Sequence, residues 1–139
     1  MTIELNHTIV HAADRKKSVQ FYRDIFGLEC KELFDGHFLA VRINDSLTFD
    51  FADANNATPT PQHYAFRVSE QEFDEIFKRI KAHNISYSST PEESVVDMKI
   101  YRHNGGRGVY FRDLDRNALE ILTADYDDSK PFEYGVEEH

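Results

Sequence analysis

The chain has 139 residues, a formal net charge of −9 and one cysteine; 40% of its residues are apolar and 13% aromatic. That size suits one domain, or two small repeats sharing a core, and the apolar content is that of a globular protein rather than a disordered one. The acidic balance disfavours nucleic acid and anionic membrane as partners, since both need a basic face, and no apolar run approaches the ~18 residues of a membrane span.

The single cysteine, Cys30, excludes an internal disulfide, and the first seven residues have neither the basic nor the apolar region of a secretory leader; the expected location is the cytoplasm. Residues 5–11 alternate as a strand does, with Leu5, His7, Ile9 and His11 on one parity. Asp14 then caps a helix over 15–26, whose apolar stripe is Val19, Tyr22 and Phe26, widened by Phe21 and Ile25. Gly27 ends it. Short strands are expected at 28–33, 38–43 and 46–51, separated by the turn pairs Asp35-Gly36 and Asn44-Asp45. A polar linker with Pro59 and Pro61 follows, and the pattern restarts with a strand at 63–68. Ser69 and Glu72 form a capping box for a second helix striped by Phe73, Ile76, Phe77 and Ile80, with Asn84 in the C-terminal cap role. A strand at 85–88 leads into a polar loop from 89 to about 102, inside which Val95, Val96 and Ile100 offer part of another strand. A hairpin of 108–112 and 118–123 closes the pattern. Residues 104–108 are rich in glycine, lack a phosphate-loop pattern and read as a mobile loop bordering the site, with Arg107 a solvated charge or, as the lesser reading, a holder of an anionic substrate.

The fold class expected is α+β: two βαβββ modules in tandem, 3–53 and 62–124, with mixed sheets curled into a cup. Residues 1–124 would form the domain, and 125–139 an acidic tail, either an arm over a neighbour or partly disordered. Equivalent places in the modules carry similar chemistry. His7 and His63 lie in the first strands, Asp50 and Glu120 in the last. Facing modules would bring up to two imidazoles and two carboxylates to one point, a set suited to one divalent first-row metal ion: Fe, Mn, Ni, Co or Zn. Taken singly, a histidine on a strand is usually a surface or core residue, and strand parity alone lets Asp50 face either way. His11 reads as a solvated strand-end histidine; His37, His83, His103 and His139 receive no role.

Several stretches carry a family resemblance. They are Leu5-Asn6-His7-Thr8-Ile9-Val10, the helix ending Phe21-Tyr22 and Phe26-Gly27-Leu28, His63-Tyr64-Ala65-Phe66, and a hairpin of pattern Phe-x-Asp-x-Asp-x-x-x-x-Glu from Phe111 to Glu120. Over residues 3–124 the chain resembles the vicinal oxygen chelate superfamily, which includes glyoxalase I, extradiol dioxygenases, fosfomycin-modifying enzymes and bleomycin-binding proteins. The resemblance implies metal ligation by His7, His63 and Glu120. It implies a fourth ligand or base at Asp50, one methylene shorter than the Glu usual there, and a substrate contact at Tyr110. It also implies a homodimer in which each cup closes across the interface. Thiol addition to fosfomycin is disfavoured, because Ile9 stands where those members carry Thr and 104–108 replaces their Ser-Glu-Gly-Asp-Ser loop. The function expected is a metal-dependent lyase, isomerase or dioxygenase acting on a small oxygenated substrate that chelates the metal. The alternative is a non-catalytic protein that sequesters an antibiotic or aromatic ligand.

Overall fold

The computed structural model describes residues 2–138. Ten strands and two helices follow the order β1 (His7–Ala12), α1 (Arg15–Phe26), β2 (Cys30–Leu33), β3 (Phe38–Arg42), β4 (Thr48–Asp53), β5 (His63–Arg67), α2 (Glu70–Ala82), β6 (Tyr87–Ser88), β7 (Ile100–His103), β8 (Gly106–Arg112), β9 (Ala118–Leu122) and β10 (Phe132–Val136). They fall into two compact units, one up to Thr60 and one from Pro61. Each unit has one open mixed sheet and one helix. No helix among the described residues is long and apolar enough to cross a membrane.

In the first unit the strand order is β1-β4-β3-β2, with β1 and β4 parallel and the other pairs antiparallel. Helix α1 starts where Asp14 accepts from the amides of Lys16 and Lys17, and stops at Gly27, whose φ of 71° is open to glycine without a side-chain clash. Its buried residues, Ser18, Val19, Tyr22 and Ile25, recur at helical spacing. The Tyr22 ring meets Phe49 and Phe51 of β4, and burial of side chains this size stabilises by ~1.5–3 kcal/mol each. Side chains alternate along a strand, so Phe49 and Phe51 under the helix leave Thr48, Asp50 and Ala52 on the opposite face. Register adds His7, Ile9 and His11 from β1 to that face.

The second unit has the order β10-β7-β8-β9-β5, with β6 on β8, and again its first strand, β5, runs parallel to β9. The Ser69–Glu72 capping box is formed, and Phe73, Ile76, Phe77 and Ile80 are buried. The helix ends with His83 as its cap, and Asn84 takes the left-handed conformation one residue later, φ 55°. Strand β7 forms at Ile100, where part of another strand was expected, and runs on to His103, while Val95 and Val96 stay exposed outside it. One strand lies outside the expected pattern. The acidic tail, expected as an arm or as disorder, contributes β10 to the sheet edge. Residues 104–108 are not a mobile loop either; they form the tight β7–β8 turn and the start of β8.

The hairpin motif has a physical reason. Asp113 accepts from the amides of Asp115 and Asn117 and from the Asn117 side chain, which organises the turn between β8 and β9. Asn117 Oδ1 in turn accepts from the Gln62 amide at 2.7 Å, clasping the hairpin to the chain entering β5. That clasp fixes the β5–β9 register, in which Ala65 stands opposite Glu120 and His63 opposite Ala118.

Candidate functional site

In the second unit the parallel pairing of β5 and β9 brings His63 Nε2 to 3.0 Å from Glu120 Oε1. The Glu120 side chain is only 10% exposed and that of His63 46%. The other carboxylate oxygen, Oε2, accepts from the Tyr101 hydroxyl. Tyr110 lies directly opposite Glu120 across the β8–β9 ladder, its ring edge-on to His63 at 5.8 Å and 5.7 Å from the Tyr101 ring. Burial, and then the neighbouring Glu120 carboxylate, push both phenols above the usual tyrosine range. They therefore remain protonated donors at neutral pH. Glu120 is thus a buried carboxylate held by an imidazole and phenols, and among the described residues no Lys or Arg pairs with it.

Composition and motif reading missed Tyr101. The signal was Gly108, directly opposite it on β8. A Cβ at Gly108 would lie 2.1 Å from the Tyr101 ring, so glycine there is what lets the phenol lie across the sheet and reach Glu120.

In the first unit, His7 is exposed at the start of β1, with Nδ1 2.7 Å from Asn6 Oδ1. An amide oxygen only accepts, so Nδ1 is the donor in this contact, which leaves Nε2 as the nitrogen that a neutral imidazole would offer to a metal. Asp50 lies between Ile9 on β1 and Ala40 on β3. It is 9% exposed, and its Oδ1 is buried without a hydrogen-bond partner. Solvent-facing Asp50, one of the two placements that parity allowed, is thereby ruled out. An unsatisfied buried acceptor costs ~1–3 kcal/mol, more for a charged one, and a cation or a proton donor would relieve it.

The structure therefore joins His63, Glu120 and Tyr110 in one unit, and places His7 and Asp50 on one sheet face of the other. Within each unit, among the described residues, no three His, Cys, Asp or Glu side chains form a finished metal cluster. The donor set nonetheless fits a divalent ion. Two donors at right angles, each ~2.1 Å from an ion, are about 3.0 Å apart, the separation of the His63 and Glu120 atoms.

Arg107 is not a solvated charge. It is buried, bonded to Glu70, Asp74 and Glu138, and stacked over Phe73 at 4.2 Å, so it ties α2 to the end of the chain. Residue 139, the terminal histidine, lies outside the described residues.

These features agree with the comparisons to known proteins. The family model of the glyoxalase/bleomycin resistance protein/dioxygenase superfamily matches residues 4–121, and the chain belongs to that superfamily. Among solved structures, the chain is similar to oxidase ChaP-H2, with 44% identity and a TM-score of 0.83 over 91% of this chain and 97% of the other. Oxidase ChaP-H1 is similar at 42% identity and a TM-score of 0.81, over 89% and 98%. More distant relatives include the metallothiol transferase FosB of Staphylococcus haemolyticus, 23% identical over 130 residues, 89% of this chain and 86% of that protein. The fosfomycin resistance protein FosX of Listeria monocytogenes is 28% identical over 132 residues, 84% and 86% respectively.

Proposed function

We propose that this protein is a metal-dependent enzyme of oxidase or dioxygenase type, acting on a small oxygenated substrate that chelates the metal. The observation that carries this reading is the 44% identity to an oxidase along nearly the whole chain. His7, His63 and Glu120 are the proposed ligands of one divalent ion per chain. Bound there, a redox-active ion supplies Lewis acidity and electron transfer to dioxygen, and three protein ligands leave positions open for substrate oxygens. The chain's own residues do the rest. Tyr101 orients Glu120 by holding Oε2, so that Oε1 is the donor presented beside His63. Tyr110, protonated at neutral pH, donates to a substrate oxygen next to Glu120. Asp50, whose buried Oδ1 lacks a partner, accepts a proton from the substrate hydroxyl.

The test is elemental analysis of protein purified without chelator, followed by oxygen-uptake assays on a panel of diols and phenols. We expect about one ion per chain and oxygen uptake that Glu120→Gln abolishes. Turnover that proceeds without dioxygen would move the protein to glyoxalase-type proton transfer. Metal-free protein that still binds ligand would instead support the sequestration alternative.

A further inference from the structure

His103 on β7 is buried, and both of its ring nitrogens are used on the chain beyond β9. Nε2 accepts from the Asp127 amide at 2.8 Å, and Nδ1 donates to the Pro131 carbonyl at 3.0 Å. The next residue, Phe132, opens β10 and lies flat on the same imidazole, with 3.6 Å between ring centres and 3° between planes. One buried side chain thus grips the tail by two ring edges and a face. The tail is pinned again at Gly135, whose amide donates to Ser89 Oγ at 2.9 Å, and at Glu138, which meets the buried Arg107 at 3.1 Å. All of these tail residues lie beyond residues 4–121, the stretch that the family model matches.

What the grip fixes is the Phe132 ring, and Phe132 also meets Tyr101, at 5.5 Å and a tilt of 59°. Tyr101 in turn lies across Gly108, meets Tyr110 at 5.7 Å, and donates from its hydroxyl to Glu120 Oε2. A hydrogen bond weakens steeply as its angle and distance depart from the best values. A shift of the Tyr101 ring therefore loosens the carboxylate that its hydroxyl holds.

We infer that Phe132 is a positioning residue of the metal site: locked on His103, it sets the Tyr101 ring, and through the Tyr101 hydroxyl it fixes which oxygen of Glu120 is presented beside His63. The inference rests on the ligand assignment proposed above. Outer partners that orient a metal ligand are worth ~10–100-fold in affinity when removed. A tail that only covered a sheet edge would leave metal affinity untouched when its ring is cut back.

A double-mutant cycle read by zinc calorimetry on the full chain tests this. Phe132→Ala is expected to weaken zinc binding ~10-fold. In a Tyr101→Phe background the same change should add no more than ~2-fold, because its route to Glu120 is already cut. Phe132→Tyr, which keeps the ring, should bind zinc as the wild type does. Phe132→Leu keeps the apolar bulk without the flat ring that stacks on His103; it should show the loss too, and it stands in if Phe132→Ala does not fold. Wild-type zinc affinity in the Ala or Leu variant, or losses that multiply in the double variant, would overturn the positioning role and leave the ligand assignment standing. If Glu120→Gln binds zinc as tightly as the wild type, the ligand assignment itself fails and takes this inference with it.

Discussion

At the scale of single residues, the site depends on how Glu120 is held. Tyr101→Phe removes one hydrogen bond to a buried carboxylate, a loss of ~1.5–3 kcal/mol of stability readable by urea denaturation. Because the same bond orients a proposed ligand, zinc affinity by calorimetry should also fall ~10-fold or more. Unchanged affinity would make Tyr101 a packing residue only. Asp50 predicts the opposite balance. Asp50→Asn removes a buried charge whose Oδ1 has no partner, so metal-free protein should become more stable by ~1 kcal/mol while turnover falls. Destabilisation in chelator would show that Asp50 has a structural partner after all. The two raised phenols give a pH signature. Tyr101 and Tyr110 hold their protons more tightly folded than unfolded, so the stability they lend is complete below the ordinary tyrosine value, ~10, and is lost as pH rises through their folded values. Spectroscopic titration of the seven tyrosines should show that Tyr101 and Tyr110 are among those that ionise only together with alkaline unfolding. Full ionisation of all seven in folded protein would contradict the burial.

Among the elements, those with a local cause were legible in advance. Asp14, Gly27 and the Ser69–Glu72 box mark helix ends by satisfying backbone groups within a few residues, and the helices fall where those signals put them. The repeat of first and last strands was legible too, and it put His63 beside Glu120. What escaped depended on distant partners. Nothing in Phe132-Glu133-Tyr134-Gly135-Val136 itself specifies an edge strand; pairing with β7 does. Tyr101 likewise gains its role from a glycine across the sheet, and Arg107 gains its burial from carboxylates on α2 and near the chain's end. The hairpin clasp is the element to test. Asn117→Ala removes the bonds to Asp113 and to the Gln62 amide, and should cost ~2–4 kcal/mol in urea denaturation. A cost under ~0.5 kcal/mol, the range of an ordinary surface change, would show that the clasp does not hold the β5–β9 register.

For the whole molecule, the family resemblance implies a homodimer whose sites are each completed across the interface. Mixing and reassembling His7→Ala and Glu120→Gln proteins tests this directly. If each site joins His7 of one copy to His63 and Glu120 of the other, half of the assemblies are hybrids with one intact site in two, and about a quarter of the metal capacity should return. No recovery would place each site within a single chain. One further consequence follows from the parallel pairing of β5 with β9. His63 in β5 has no Glu120 to face until β9, 120 − 63 = 57 residues further along the chain, has been made. At ~5–20 residues per second, a ribosome takes several seconds to pass from one to the other. Throughout that interval the nascent chain offers His63 without its Glu120 partner. The pair thus forms only once β9 has been made and can dock beside β5.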